Sequence, residues 1–136
     1  MRSAAHFGVR ALLVPDAAPL LTAAASRTAQ GGAELLDLVE CESLKEAINT
    51  LSKAGFEVLA SSSQHPRTRS LFATTLSTRS VIMLGEEQHG LSEQAFQLAD
   101  RIIGIPGSGE VESLNVSVAT AVLLAEWYRQ QQLGSS

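Results

Sequence analysis

The chain has 136 residues, a length that suits one domain with a single hydrophobic core. Its 10 basic and 14 acidic residues give a net charge of −4, which excludes the strongly basic balance of a free-standing nucleic-acid-binding domain. The sequence has no run of about eighteen apolar residues and no basic stretch leading into an apolar core at the N-terminus, so it predicts neither a membrane span nor a secretory signal. The one cysteine, Cys41, cannot form an internal disulfide, and we therefore expect a reducing compartment, the cytoplasm.

Predicted strands and helices alternate along the first half of the chain. Ala11–Val14 is a short apolar run closed by a proline, and it predicts a buried strand. A helix is expected over about residues 19–30, and a second strand over 34–39. Ser43 and Glu46 then form a capping box, in which each side chain satisfies a backbone N–H that the following helix would leave unpaired.

The second half of the chain continues this alternation. The remaining predicted elements are, in chain order, a helix that ends at Gly55, a strand over 56–60, a polar loop with a short helical turn over 61–80, a strand over 81–84, a helix capped by Ser92, a strand over 102–105 and a helix over about 115–131. Short apolar strands that alternate with helices indicate an α/β fold with a parallel sheet and helices on both faces. Ligands bind such sheets outside the carboxyl ends of the strands, so the loops after Val14, Leu84 and Ile105 are predicted to form the site.

Two of these loops have an unusual composition. Residues 84–92 include Gly85 and a second glycine near the other end, which let the backbone turn sharply and approach a ligand closely. Residues 105–117 are glycine-rich at first and then place Ser113 and Asn115 at the start of an apolar helix. Either of these two residues could cap the helix, whose unpaired N–H groups could hold an anion or a carboxylate.

Other ligand-binding motifs are absent from the sequence. It contains no phosphate-binding GxxxxGK[ST], no GxGxxG between a strand and a helix, and no GxSxG nucleophile elbow. His6, His65 and His89 lack the i, i+4 spacing of a metal site and no cysteine pair supports zinc, so we predict no bound metal. The residues by themselves indicate a parallel α/β domain with two glycine-rich ligand loops, and they do not name the ligand.

Three segments resemble the motifs of one family. Residues 81–92 resemble the second motif of the SpoU/TrmH class of SPOUT methyltransferases, and Ile105-Pro106 followed by residues 113–119 resembles the third. Residues 2–9 resemble the latter part of the first motif, so the three occur in the family's order and the resemblance covers essentially the whole chain. The Ser-Leu-Asn-Val-Ser stretch that begins at Ser113 is highly specific at this distance from an Ile-Pro strand end.

The resemblance implies a fold, a cofactor and a reaction. Proteins of this family bind S-adenosylmethionine in a deep trefoil knot toward the C-terminus, and as homodimers they methylate a ribose 2′-hydroxyl of tRNA or rRNA. Backbone groups at Gly85, Ile105 and Leu114 are expected to bind the adenosine part of the cofactor. The full set of expected cofactor-binding residues is Leu84, Gly85, Gly90, Ile105, Pro106, Ser113 and Leu114.

The same resemblance implies four catalytic positions, Arg2, Glu87, Ser113 and Asn115. In the family, the first-motif arginine helps to deprotonate the ribose hydroxyl with the aid of substrate phosphate. An arginine is a poor base at its usual pKa, so we favour Arg2 as a phosphate clamp. Ser113 and Asn115 are also open to interpretation as plain helix caps, and Glu87 as part of the loop structure.

The start of the chain departs from the family pattern. An Asn-x-Gly stretch and a strand precede the motif arginine in the family, whereas Met1 stands directly before Arg2 here. We therefore expect residues 1–136 to be an N-terminally truncated methyltransferase domain. The departure keeps a second hypothesis open, a SPOUT-fold module that binds RNA and dimerises without methyl transfer, and a third is an unrelated α/β nucleotide enzyme.

Two further features concern the partners of the chain. Only two lysines are present, so RNA would have to be held by a local arginine cluster, a second subunit or a separate domain. Arg67, Arg69 and Arg79 are interpreted as surface residues that can reach phosphate. The last predicted helix has almost no polar face and should be buried on all sides, so we expect a second copy of the chain to cover it in a homodimer.

Overall fold

The computed structural model describes residues 2–15, 36–86, 89–111 and 113–134. The chain divides into two compact units, Met1–Ala47 and Ile48–Ser136. The helix predicted over residues 19–30 lies outside the described residues. Every strand pair within the described ranges is parallel, as predicted for an α/β fold.

The first unit contains helix α1 (Arg2–His6) and strands β1 (Ala11–Val14) and β2 (Asp37–Glu40). β1 has the predicted bounds and pairs in parallel with β2. β2 covers the latter part of the strand predicted over 34–39, whose first two residues lie outside the described ranges. The parallel pairing continues beyond both strands, because the N–H of Cys41 donates to the Val14 carbonyl over 2.9 Å.

Helix α2 (Leu44–Lys53) begins where the capping box predicts. The N–H of Glu46 donates to Ser43 Oγ over 3.2 Å, which confirms the N-cap. The helix ends just before Gly55, whose φ of +95° is a left-handed conformation that residues with a Cβ rarely adopt. The apolar spacing of this helix predicts that Leu44 is buried, but its side chain is exposed, since it is the first residue of the helix.

The described part of the second unit holds a four-stranded parallel sheet in the order β4-β6-β3-β5. The strands are β3 (Glu57–Ser61), β4 (Thr68–Ser70), β5 (Ser80–Met83) and β6 (Arg101–Gly104). The central strands are the most buried, and Val58, Leu59 and Ala60 have no accessible surface, as expected for strands flanked on both sides in a parallel sheet. β3, β5 and β6 confirm three predicted strands to within one residue at each end.

β4 was missed in the sequence, where residues 61–80 were predicted as a polar loop with a short helical turn. The turn is present as a 3₁₀ helix over Leu71–Ala73, and β4 directly precedes it. β4 is a three-residue Thr-Arg-Ser segment at the edge of the sheet, and it pairs with β6 through its backbone. A short polar edge strand has no apolar alternation for a sequence pattern to detect.

Helices α3 (Glu93–Leu98) and α4 (Val116–Gly134) are the later helices of this unit. Ser92 caps α3 as predicted, since its Oγ accepts a hydrogen bond from the Ala95 N–H over 3.2 Å. A fully or nearly buried cluster joins the sheet, the 3₁₀ helix and α4; its members are Leu59, Leu71, Leu76, Ile103 and Leu123. The hydrophobic core therefore lies between the sheet and α4.

The segment between the 3₁₀ helix and β5 is tied to α4 by side-chain hydrogen bonds. The Gln130 side chain accepts from the Leu76 N–H over 2.8 Å and donates to the Thr74 carbonyl over 2.9 Å. Trp127 Nε1 donates to the Ser77 carbonyl over 3.0 Å. These bonds satisfy backbone groups that no strand or helix pairs.

Glu126 is a buried carboxylate in the same part of α4. Arg129 donates two hydrogen bonds of 2.8 Å to it, and Gln130 donates a third of 3.0 Å. These bonds, first those from Arg129 and then that from Gln130, lower the pKa of Glu126 to about 2 against the opposing effect of desolvation. The carboxylate is therefore charged and satisfied within the fold.

Within one chain the surface of α4 is only partly buried, and its cover by a second copy of the chain stays a prediction. Leu123 and Leu124 are buried, but Val118 is 50% exposed and Tyr128 is 42% exposed. One face of the helix packs on the core, and the described residues of this chain leave the other face open. None of the described helices combines the length and apolar character that crossing a membrane requires.

Gly104, at the end of β6, is closely packed between Ser62 and Thr68. β6 stands between β3 and β4, and residues 62–67 connect those two strands. A Cβ on Gly104 would lie 2.6 Å from Cγ2 of Thr68 and closer still to the carbonyl oxygen of Ser62. The end of β6 is therefore held between the two ends of one short connection. The deep trefoil knot implied by the resemblance stays a prediction.

Candidate functional site

The carboxyl ends of β6, β3 and β5 lie side by side in the second unit. Each strand is followed by a loop at this edge of the sheet, namely residues 105–115, 62–67 and 84–92. The first and last of these loops were predicted as ligand loops, and the structure brings them to the same edge with one strand between them. The third predicted loop, after Val14, belongs to the other unit.

The loop over residues 84–92 is closed tightly on itself. The N–H of Gly90 donates to the Glu86 carbonyl over 2.8 Å, and the φ of Gly90 is +62°. A Cβ on Gly85 would lie 2.6 Å from the backbone nitrogen of Leu91 and 2.7 Å from Cα of Gly90. Gly85 is therefore required by the packing of its own loop, in addition to any close approach of a ligand. Glu87 lies outside the described residues.

The loop over residues 105–115 connects the core to the start of α4. Ile105 packs against the core cluster, whereas Pro106 is exposed. Asn115 Oδ1 accepts the Ser117 N–H over 2.8 Å, so Asn115 is the cap of α4. Ser113 is exposed and does not cap the helix. The structure thus resolves the alternative left open by the sequence in favour of Asn115.

The loop over residues 62–67 was not predicted as part of the site. Its first residue is anchored to the sheet, because the N–H of Ser62 donates to the Ile103 carbonyl over 3.0 Å. Ser62 Oγ accepts the N–H groups of Gln64 and His65, each over 3.2 Å. A serine that caps a turn before a His-Pro pair is a detectable turn signal, although it does not mark a ligand site.

An aromatic contact links this loop to α3. The His65 ring packs on the Phe96 ring with a centroid separation of 4.5 Å. His89, in the neighbouring loop, is exposed. The loop after β3 and the helix that follows the loop after β5 are therefore in direct contact at this edge.

The predicted cofactor-binding role of Gly85, Ile105 and Leu114 stays a prediction, and their backbone groups have the following surroundings. Among the described residues, none hydrogen-bonds to the backbone N–H or C=O groups of Gly85, Ile105 and Leu114. Gly85 and Ile105 are half-buried. The Leu114 side chain is 48% exposed. A site for an adenosine-sized ligand combines a few available polar groups with apolar surface.

The predicted catalytic residues are only partly brought together. Ser113 and Asn115 share the segment that leads into α4, and both are exposed. Arg2 is exposed on α1 in the other unit. Within the described ranges, no three His, Cys, Asp or Glu side chains form a group that could hold a metal ion.

A family model and several known proteins are similar in sequence to this chain. The SpoU rRNA methylase family model matches residues 1–125. The chain is 42% identical over 132 residues to the uncharacterised tRNA/rRNA methyltransferase YfiF of Escherichia coli O157:H7, covering 97% of this chain and 38% of that protein. It is 34% identical over 134 residues to the 23S rRNA (guanosine-2′-O-)-methyltransferase RlmB of Photobacterium profundum, covering 98% of this chain and 54% of that protein.

A solved structure gives the same result. The SpoU methyltransferase AviRb from Streptomyces viridochromogenes, in complex with the cofactor AdoMet, superposes with a TM-score of 0.86 at 25% identity. The superposition covers 98% of this chain and 54% of that one, so the chain spans about half the length of this relative as well. Because the family model matches most of the sequence, the chain belongs to the SpoU rRNA methylase family.

Proposed function

We propose that this chain carries an S-adenosylmethionine-dependent methyltransferase site that acts on a ribose 2′-hydroxyl of tRNA or rRNA. The observation that carries the proposal is that the backbone groups of Gly85, Ile105 and Leu114, in two loops at the same edge of the sheet, have no hydrogen-bond partner among the described residues. The printed activity of RlmB, a guanosine-2′-O-methyltransferase of 23S rRNA, supports the reaction type. The AdoMet bound to AviRb supports the cofactor.

The cofactor would be held mostly by backbone. Gly85, Ile105 and Leu114 would offer N–H and C=O groups to the adenosine, and the exposed Leu84 and Leu114 side chains would cover its apolar faces. Pro106, Gly90 and Ser113 would complete the wall of the pocket. Adenosylmethionine, when bound, supplies an activated methyl group on a sulfonium sulfur. The protein's part is to align the ribose hydroxyl with that group and to exclude water.

Asn115 is proposed to combine a structural and a catalytic role. Its Oδ1 is used in capping α4, which leaves the amide N–H groups free to donate to a substrate oxygen. Ser113, exposed two residues earlier, would offer a hydroxyl on the same segment. Arg2 is proposed to clamp a substrate phosphate, and Glu87 is proposed as the acidic group of the second motif.

The proposal extends to domain organisation and assembly. Since the family model spans both units, residues 1–136 would form one methyltransferase domain. A second copy of the chain would cover the open face of α4, where Val118 and Tyr128 are exposed. The expected site of action is the cytoplasm, because the RNA substrate is there. Analytical ultracentrifugation of the chain tests the dimer, and a monomer at micromolar concentration would contradict it.

The site is tested by separating the two roles of Asn115. Asn115→Asp keeps an oxygen that caps the helix and removes the amide donor, whereas Asn115→Ala removes both. We expect each variant to lower methyl transfer from labelled adenosylmethionine to RNA by about a hundredfold. Only Asn115→Ala should also lower the thermal midpoint. The RNA is taken from cells that lack this protein.

Binding of S-adenosylhomocysteine, measured by calorimetry, is the companion measurement. Both variants should retain it within a few-fold because Asn115 is assigned to the substrate side. If the folded wild-type chain gives neither heat with this nucleotide nor methyl transfer, the proposed function is wrong. Cofactor and RNA binding without transfer would instead support the hypothesis of a module that binds RNA and dimerises.

A further inference from the structure

The structure separates the arginines of the second unit into two groups. The unit contains Arg67, Arg69, Arg79, Arg101 and Arg129. Arg101 and Arg129 form ion pairs with glutamates of the same unit. Arg79 donates to a backbone carbonyl over 2.9 Å, and its guanidinium lies 4.6 Å from the centroid of an aromatic ring. These three arginines are engaged in holding the fold.

Arg67 and Arg69 form the other group. Both are exposed, and among the described residues neither side chain has a hydrogen-bond or ion-pair partner. Arg67 is the last residue of the turn that precedes β4, and Arg69 is the middle residue of β4. Thr68, between them, packs close to Gly104. One short segment therefore carries both exposed guanidinium groups.

The backbone that carries this pair is held in place before any ligand arrives. The N–H of Arg67 donates to His65 Nδ1 over 3.1 Å, and the N–H of Thr68 donates to the His65 carbonyl over 2.9 Å. His65 in turn packs on Phe96. Binding to such a preorganised turn loses little backbone entropy, so the contacts can contribute more fully to affinity.

The charge of the surroundings makes this pair important. The chain has a net charge of −4, and the neighbouring loops at the same edge carry the exposed carboxylates of Glu86 and Glu110. An RNA backbone that approaches these loops meets repulsion unless local cations offset it. Arg67 is the last residue of the loop after β3, which begins at the carboxyl end of that strand, and Arg69 lies in β4, next to β6. Guanidinium groups bind phosphate oxygens in a bidentate manner.

We propose that Arg67 and Arg69 together bind phosphate groups of the substrate RNA where the loop after β3 enters β4. This inference rests on the proposed function, because it assigns the RNA contact of that same site. It gives the acidic chain the local arginine cluster that RNA binding requires. The pair positions substrate, and it takes no part in cofactor binding or in the transfer step.

The test is RNA affinity as a function of salt. Fluorescence anisotropy with fluorescein-labelled polyuridine RNA is measured for the wild-type chain, Arg67→Gln, Arg69→Gln and the double variant. We expect each single variant to bind several-fold more weakly and the double variant at least tenfold more weakly. The slope of log K against log salt should fall by about 0.7 for each lost phosphate contact. Affinity for S-adenosylhomocysteine should be unchanged.

Lys53→Gln is the matched control. Lys53 is exposed at the end of α2, outside both the loop after β3 and β4. The Lys53→Gln variant removes one positive charge outside the proposed contact and should leave RNA affinity within twofold of the wild type. Wild-type affinity and salt slope in the double variant would overturn the proposal. So would an equal loss in Lys53→Gln, or a wild-type chain that does not bind the RNA.

These outcomes are distinct from failure of the proposed function. A chain that binds polyuridine through the arginine pair but neither binds S-adenosylhomocysteine nor transfers a methyl group would contradict the methyltransferase proposal alone. A chain that binds the nucleotide and methylates RNA with an unchanged KM in the double variant would contradict the arginine proposal alone. In the expected case, the double variant raises the KM for RNA and leaves kcat within twofold.

Discussion

The two edges of the second unit's sheet use their polar groups in opposite ways. At the amino edge, Arg101 forms an ion pair with Glu57 and donates to the Thr75 carbonyl over 2.6 Å. Arg79 donates to the Ala54 carbonyl at the same edge. Each of these groups is hydrogen-bonded within the chain, so these groups contribute to stability and are not available to a ligand.

At the carboxyl edge, the backbone of Gly85, Ile105 and Leu114 makes no hydrogen bonds to described residues. In the nearby segment that enters β4, the Arg67 and Arg69 side chains likewise form no ion pair with a described residue. The comparison indicates that polar groups at one edge of the sheet stabilise the fold, whereas those at the other edge are available for binding. Substitutions at the amino edge should therefore change unfolding, and those in the loops of the carboxyl edge should change ligand affinity.

The largest effect is expected where the carboxyl edge is packed as closely as a core. Gly104→Ala would place a Cβ against Ser62 and Thr68, and we expect it to destabilise the chain by about 3 kcal/mol. Gly107→Ala, three residues further along the chain in the loop after β6, meets nothing within 4 Å and should change stability by less than about 0.5 kcal/mol. Urea unfolding measures both. Equal changes in the free energy of unfolding for the two variants would show that Gly104 is not closely packed.

The next effect tests the amino edge. Gln130→Ala leaves the Leu76 N–H and the Thr74 carbonyl without partners, and we expect a loss of about 2 kcal/mol in the free energy of unfolding. Gln132→Ala, on the exposed side of the same helix, should be close to neutral. Neither variant should alter the Kd for S-adenosylhomocysteine in calorimetry. A large change in that Kd for Gln130→Ala would break the division between the edges.

A smaller effect is expected in a carboxyl-edge loop. Gly85→Ala forces the loop apart at Gly90 and Leu91, so the Kd for S-adenosylhomocysteine should rise about tenfold, equivalent to about 1.4 kcal/mol. Because the loop is at the surface, the free energy of unfolding should fall by less than that amount. Gly107→Ala is again the control. Unchanged nucleotide affinity in Gly85→Ala would remove this loop from the proposed cofactor site.

The smallest effect concerns acid stability. Glu126 has a pKa of about 2 in the fold against an ordinary value of 4.5, so its stabilisation is complete above about pH 4.5 and is lost as the pH falls toward 2. Glu126→Gln cannot titrate. Between about pH 5 and about pH 3, the wild type should lose about 1 kcal/mol more than the variant, a figure reduced because Arg129 is largely exposed. Parallel pH dependences of urea unfolding would contradict this.

Elements with strong local patterns were predictable from the sequence. The apolar runs of β3, β5 and β6, the Ser43 and Ser92 caps and the glycine-rich loops each follow from local chemistry. The resemblance then pointed to the correct family from motif residues alone. Such features can be read because a few neighbouring residues determine them.

Features that depend on distant partners were not predictable. β4 exists because β6 offers it a backbone edge, and the loop over residues 62–67 joins the site because of strand order. Arg67, Arg69 and Arg79 look alike in the sequence. Only the fold shows that Arg79 differs, because its side chain contacts the Ala54 carbonyl and the Phe56 ring. The exposure of Val118 likewise depends on which face of α4 meets the core. These are tertiary relations, which no local pattern contains.

The position of β6 between two earlier strands has a consequence for synthesis on the ribosome. β3 and β4 leave the ribosome before β6, and each of them pairs with β6 in the final sheet. Neither of these pairings can form until β6 has been made. In a newly made chain, the edge of β3 that pairs with β6 therefore stays unpaired, with apolar strand surface exposed, until Arg101–Gly104 has been synthesised. Slow translation across that interval would lengthen the exposure, and chaperone demand during synthesis should be highest there.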